Sequence, residues 1–184
     1  MSRKYKVRDN TKLHFVTFAT VYWLDIFTRT EYKNLLIDSL RHCQKHKGLA
    51  IYAWCIMTNH VHLIIGTESS LPLHGIIRDF KAFTSRILRE AIEKNPQESR
   101  KKWLQWIMTN AGKRNSNNNS WQLWQQDYHP IELFTYPVIK QKLEYIHQNP
   151  VEAGFVFHSE DWLYSSAGDY AGHKGFLDII LVDE

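Results

Sequence analysis

Hydrophobic residues in this chain recur at two periods, and the switches between them mark out its elements. Residues 13–20 are dense in Phe, Val and Thr, the mixture of a strand. Across residues 30–46, Tyr32, Leu36, Leu40 and Cys43 return at intervals of three and four, which describes one buried face of a helix, and Gly48 supplies the stop. Residues 49–57 are strongly apolar and residues 60–66 alternate, so Thr58 and Asn59 read as a short polar turn between two paired strands. Pro72 opens a long helix whose apolar stripe is Leu73, Ile76, Ile77, Phe80, Phe83, Ile87 and Leu88, with Arg78, Lys81, Ser85 and Arg89 on its other side. Residues 109–120 contain Gly112, Lys113, Arg114 and five asparagines and read as a polar loop or a disordered insertion. Residues 121–133 predict a last strand, and residues 137–149 a final helix stopped by Pro150.

The order strand, helix, strand, strand, helix, strand is that of a ferredoxin-like split βαβ core. This is an α+β fold with an antiparallel sheet, followed here by a further helix after the last core strand and by a C-terminal extension. Such a sheet carries helices on one face and is expected to leave the other free. No internal repeat is present, so a single domain over residues 1–184 is expected, with its core at about residues 11–156 and the extension at 157–184.

Composition narrows the function classes. A chain of 184 residues buries a core without disulfides, and Cys43 and Cys55, in a predicted helix and a predicted strand, read as buried thiols. Basic Arg3, Lys4, Lys6 and Arg8 precede no apolar stretch of signal length, and no run spans a membrane, so a soluble cytoplasmic protein without a membrane partner is expected. The net charge of +4 favours an acidic partner modestly, and seven Trp with nine Tyr exceed what a core of this size needs, which leaves rings for stacking on bases.

The candidate chemistry begins at His60 and His62. Two apart on a strand, they leave one face, while Val61, Leu63 and Ile65 leave the other. Their rings stand about 7 Å apart along the strand, close enough to lean onto one cation. Taken alone, the pair is better read as two half-exposed strand histidines bonded to their neighbours. Its setting goes further: residues 53–65, AWCIMTNHVHLII, resemble the histidine–hydrophobic–histidine motif of HUH single-strand endonucleases, and more narrowly that of the REP-associated tyrosine transposases. Thr58 stands where such relatives commonly have Pro.

A second stretch, residues 145–156, YIHQNPVEAGFV, is similar to the signature that carries the catalytic tyrosine in those transposases. By matching position, the resemblance implies that Tyr145 is the nucleophile and that Asn149 completes the metal triad with His60 and His62. Residues four apart lie one above the other on a helix, roughly 6 Å apart, so a nucleophile and a ligand so spaced can meet one phosphate. Ile139, Leu143 and Ile146 form that helix's buried stripe, and Lys142, Tyr145 and Asn149 line one flank.

The resemblance further implies Mg²⁺ or Mn²⁺, a covalent 5′-phosphotyrosine intermediate, and a substrate of single-stranded DNA bearing a palindromic hairpin. The residue types by themselves would also permit zinc. For DNA binding, Arg78, Lys81, Arg86 and Arg89 of the long helix resemble the family's DNA-contacting helix, and Lys142 is placed to meet a phosphate. Arg100, Lys101, Lys102 and Trp103, with Lys113 and Arg114, offer further basic contacts. Two alternatives stay open: a hairpin-binding protein that has lost turnover, and a zinc hydrolase in which water attacks. A monomer and a homodimer are both compatible with the sequence.

Overall fold

The computed structural model describes residues 12–115, 121–126 and 128–182. Arg3, Lys4, Lys6 and Arg8, and residues 116–120 of the asparagine-rich stretch, lie outside the described residues. Strands β1 (Leu13–Ala19), β2 (Leu49–Ile56), β3 (His60–Thr67) and β4 (Ile131–Leu133) form one sheet in the order β2-β3-β1-β4, every neighbouring pair antiparallel. Helix α1 (Thr30–Lys47) joins β1 to β2, and α2 (Leu73–Lys94) follows β3. That is the split βαβ arrangement the element order predicts.

Alternation along the strands sorts their side chains onto two faces. Val16, Phe18, Val61, Leu63 and Ile65 point to the first face, where they meet Leu36 and Leu40 of α1 and Ile76, Phe80 and Leu88 of α2 in the main core. β2 is buried on both faces, which is why its sequence is apolar almost throughout. A register shift between Ile51 and Ala53 lets Ile51, Trp54 and Ile56 all reach the first face. Gly48 closes α1 at φ 68°, and a Cβ there would meet the Ser69 Cβ at 2.7 Å, so glycine is required on both counts.

Several elements depart from the sequence reading. On α2 the buried stripe turns slightly: Phe83 is 47% exposed, and Thr84 takes the core position, its Oγ1 donating to the Phe80 carbonyl and accepting from Trp124 Nε1 at 3.0 Å. Residues 101–113, read in part as loop, form helix α3 (Lys101–Lys113), because Leu104, Met108 and Ala111 pack into the core at helical spacing despite Gly112. Among the described residues of 121–133 only β4 joins the sheet as a strand. Residues before it extend the pairing past the end of β1 through Val21 N–H to the Leu123 carbonyl (2.7 Å) and Gln125 N–H to the Ala19 carbonyl (2.8 Å).

The second face of the sheet, expected to be free, is covered. Helix α4 (Tyr136–Glu152) lies on it, with Ile146 buried and Ile139 and Leu143 packed against Phe15, Ala53, Cys55, Met57, Ile64 and Leu133. Those strand residues are apolar, and leaving them in water would be costly. Pro150 does not end α4, which runs on to Glu152. So near the C-terminus, the missing N–H forfeits a single late hydrogen bond.

His147 of α4 is bonded to Ser166 Oγ at 2.8 Å, and Ser166 in turn accepts from Trp54 N–H, so the helix is tied to β2. Residues 164–166 run along the outer edge of β2 through Ile56 N–H to the Tyr164 carbonyl and Ser166 N–H to the Trp54 carbonyl, which shields that edge from other chains. Cys43 and Cys55 are buried free thiols, as expected. Among the described residues no helix is long and apolar enough to cross a membrane.

Candidate metal and tyrosine site

On the second face His60 and His62 stand with ring centroids 4.6 Å apart, closer than bare strand spacing because the rings lean toward each other. Each is held through its Nδ1. His60 Nδ1 lies 2.6 Å from Asn59 Oδ1, and His62 Nδ1 lies 2.8 Å from Thr17 Oγ1, directly across the β1–β3 pairing. Both Nε2 atoms are thereby turned to the interior of the site. His62 is 3% exposed, and its Nε2 has no hydrogen-bond partner.

Helix α4 brings the remaining groups. Asn149 Oδ1 lies 3.4 Å from His60 Nε2, while Asn149 Nδ2 donates to the Tyr145 carbonyl one turn back, which orients the amide with its oxygen toward the histidines. Tyr145, 43% exposed, sets its ring edge-on to His62 at 5.2 Å and to Phe15 at 5.9 Å. Phe15 stacks under His62 at 5.6 Å, so one strand residue supports both a proposed ligand and the tyrosine. The Lys142 ammonium lies 5.0 Å from the Phe15 ring centre and 5.6 Å from that of Tyr145.

These contacts test whether a cation fits. Burial is the main force lowering the His60 pKa, and the His62 pKa is pushed down to about 3 by burial, by the neighbouring His60 and by Lys142. Both rings are therefore neutral at pH 7. With its Nδ1–H donated to Asn59, His60 presents a bare Nε2 lone pair to the lone pairs of Asn149 Oδ1, an arrangement a positive ion between them would reconcile. The orphaned Nε2 of His62 points the same way. Fixing each Nδ1 by an outer partner is how ligating histidines are oriented. Among the described residues no three His, Cys, Asp or Glu side chains form a metal cluster, so a cation at the two histidines would have to take a donor of another kind, and the amide oxygen of Asn149 is at hand. Two imidazoles and an amide carry no charge, and a divalent ion they held would keep its full attraction for a phosphate.

The structure thus brings together His60, His62, Asn149, Tyr145 and Lys142. It does not bring the basic residues of α2 to them, because α2 lies on the opposite face. Arg78 pairs with Asp79, Arg86 with Glu90 and Arg89 with Glu93, and Lys81 donates to the Gln125 carbonyl beneath the Phe18 and Tyr128 rings. Thr58 secures its turn by a hydroxyl bond to Asp25 (2.7 Å).

Residue reading alone missed Phe15, Thr17, Asn59 and Trp23. Trp23 meets His60 edge-on at 5.7 Å, and its carbonyl accepts from Asn59 Nδ2. The β1–β3 register sets Thr17 opposite His62, and no local pattern reports it.

Comparison with known proteins bears on the family and the fold. A family described as "Transposase IS200 like" matches residues 7–107. No curated protein matches the sequence. A solved structure of a REP-associated tyrosine transposase bound to a REP hairpin superimposes with a TM-score of 0.67 at 15% identity, over 100% of this chain and 95% of that one, which shows a shared fold. A crystal structure from Deinococcus radiodurans R1, provisionally described as a transposase, reaches a TM-score of 0.46 at 20% identity over 79% of this chain and 94% of its own, too slight a likeness to carry an argument.

Proposed function

This chain belongs to the IS200-like transposase family, and from that premise we propose that it cuts and rejoins single-stranded DNA beside a hairpin, with Tyr145 as the attacking group and Mg²⁺ or Mn²⁺ held by His60, His62 and Asn149. The observation that carries this reading is the convergence of His60 Nε2, the partnerless His62 Nε2 and Asn149 Oδ1, one helical turn from Tyr145. A cation there would act as a Lewis acid on the scissile phosphate.

The chain's own groups do the rest. Tyr145 Oη attacks phosphorus and forms a 5′-phosphotyrosine bond as the bond to the 3′-oxygen breaks. The proton that the phenol loses is balanced by the one that the leaving 3′-hydroxyl gains. One phosphoester replaces another, so attack by a second 3′-hydroxyl rejoins the strand without ATP. Phe15 holds the Tyr145 ring against His62, and Lys142 neutralises phosphate charge beside them. The hairpin is proposed from the shared fold with the hairpin-bound transposase. Arg78, Arg86 and Arg89 would have to exchange Asp79, Glu90 and Glu93 for phosphates to grip a stem.

The test is a labelled hairpin-bearing strand incubated with the protein and Mg²⁺ or Mn²⁺, then run on a denaturing gel. Wild type is expected to carry covalently linked DNA and Tyr145→Phe none. Cutting by Tyr145→Phe at the wild-type rate would defeat the tyrosine mechanism in favour of an attacking water. Tight hairpin binding by both proteins with no cutting would favour a binding protein without turnover.

A further inference from the structure

Beside the metal ligands the backbone does something costly. Tyr22 and Trp23 are consecutive aromatic residues at φ 54° and 55°, the left-handed region that bulky side chains avoid. The turn is pinned from beneath: Val21 and Leu24 are buried, and Thr20 Oγ1 bonds the Leu24 carbonyl at 2.8 Å and the Asn59 carbonyl at 3.0 Å. Its effect is to turn both rings outward, where Tyr22 is 52% and Trp23 55% exposed. The same turn is coupled to the site, since Asn59 holds Trp23 by its Nδ2 and His60 by its Oδ1. On the far side of Tyr22 lies an open cavity of about 390 Å³, walled by Arg114, Asn115, Gln122, Gln125 and Gln126. Side-chain amides are the groups that pair with base edges, and a guanidinium suits a phosphate or guanine. Here the amides bond one another and the backbone, Asn115 with Gln122 and Gln126, Gln122 with the Trp124 carbonyl and Gln125 with the Thr20 carbonyl, so an entering base would exchange with these partners.

Metal ligand, two exposed rings and an amide-lined cavity therefore follow one another across the surface. We propose that Trp23 and Tyr22 are a stacking platform for the unpaired bases next to the scissile phosphate, and that the cavity beyond Tyr22 reads one of those bases. The placement beside the scissile phosphate rests on the cutting reaction proposed above. The platform itself needs only single-stranded DNA, whose bases all have a face to stack. The strained turn keeps two neighbouring rings out of the core, Trp23 against His60 and Tyr22 at the cavity.

Binding of fluorescein-labelled single strands about twelve nucleotides long, of randomised sequence and of each homopolymer, tests this in EDTA, so that no cutting intervenes. Trp23→Ala and Tyr22→Ala are each expected to weaken binding roughly 5- to 100-fold, and Trp23→Phe by no more than about threefold, from the usual range for stacking one base. Trp23→Gly keeps the test clear of misfolding: glycine suits the left-handed turn, so its Tm should equal or exceed that of wild type while its DNA binding falls as in Trp23→Ala. Gln126→Ala should narrow the spread of affinities among the homopolymers. Wild-type affinity in Trp23→Ala overturns the platform, as does absence of wild-type binding to every strand. So does a change of oligomeric state in Trp23→Ala with DNA binding intact, which would make the rings a self-association surface. If the covalent adduct never forms and yet binding depends on Trp23, the cutting reaction falls and the platform stands.

Discussion

Adjacent residues of β3 live in different chemical worlds. Val61, Leu63 and Ile65 enter a core closed by two helices and satisfied by packing alone. His60 and His62, one position over, sit among polar groups, aromatic rings and the Lys142 ammonium under a single helix, and one buried nitrogen lacks a partner. Such a group costs about 1–3 kcal/mol, and the main core leaves the indole N–H groups of Trp54 and Trp121 unpaired as well, so orphaning alone does not separate the faces. What separates them is that the second sets the lone-pair nitrogens of two histidines beside an amide oxygen. On the function proposed above these are the donors held in place, and α4 serves that face both as cover and as the carrier of Tyr145 and Asn149.

Substituting across this boundary separates the two roles. His62→Ala should lower strand cleavage roughly a thousandfold or more, since a Lewis acid is worth several kcal/mol at the transition state, while stability moves by about 1 kcal/mol or less. Gel assays of adduct formation beside urea unfolding would show it. Leu63→Ala, on the other face of the same strand, should cost about 2–5 kcal/mol of stability and leave cleavage per folded molecule unchanged. If instead both substitutions reduce both quantities equally, the faces do not divide the work.

Acid should weaken the α4 side selectively. Burial pushes the His147 pKa down to about 4, against about 6.5 for a free histidine. A depressed pKa means that the unfolded chain binds the proton first. This contribution is thus complete above pH 6.5 and is lost as pH falls through about 4, up to about 3 kcal/mol in all. His60 and His62 share the direction, so the measurement is the difference between wild type and His147→Gln in unfolding free energy across that window, the variant being the flatter. Parallel curves would refute it. The smallest effect belongs to Thr17→Val, which removes only the hydroxyl that orients His62. About a 10- to 100-fold loss of metal affinity or activity is expected, read by Mn²⁺ titration, with stability nearly unchanged.

Much of the site was legible before the fold was known, and unevenly so. His60 and His62 could be assigned to one face by counting alone, and Tyr145 and Asn149 to one flank of a helix, because both periods are local geometry. The α2 stripe was nearly right, failing at Phe83 and Thr84, where the hydroxyl found Trp124 Nε1 in the core. Helix α3 was obscured by Gly112 and its asparagine neighbours although Leu104, Met108 and Ala111 already kept helical time. The second face was misread as free because no single segment records that its apolar side chains and the Ile139, Leu143 and Ile146 stripe are meant for each other.

By itself, then, the sequence determined the element order, the alternation that segregates imidazoles from core, and the kinds of donor available. These follow from backbone periods and side-chain chemistry within a few residues. Only the tertiary structure decided that Thr17 faces His62, that Phe15 lies beneath both His62 and Tyr145, that Asn149 meets His60, and that Tyr22 and Trp23 are forced outward beside them. Each of those depends on strand register or on packing between residues far apart in the chain, and a short-range pattern cannot encode a long-range contact.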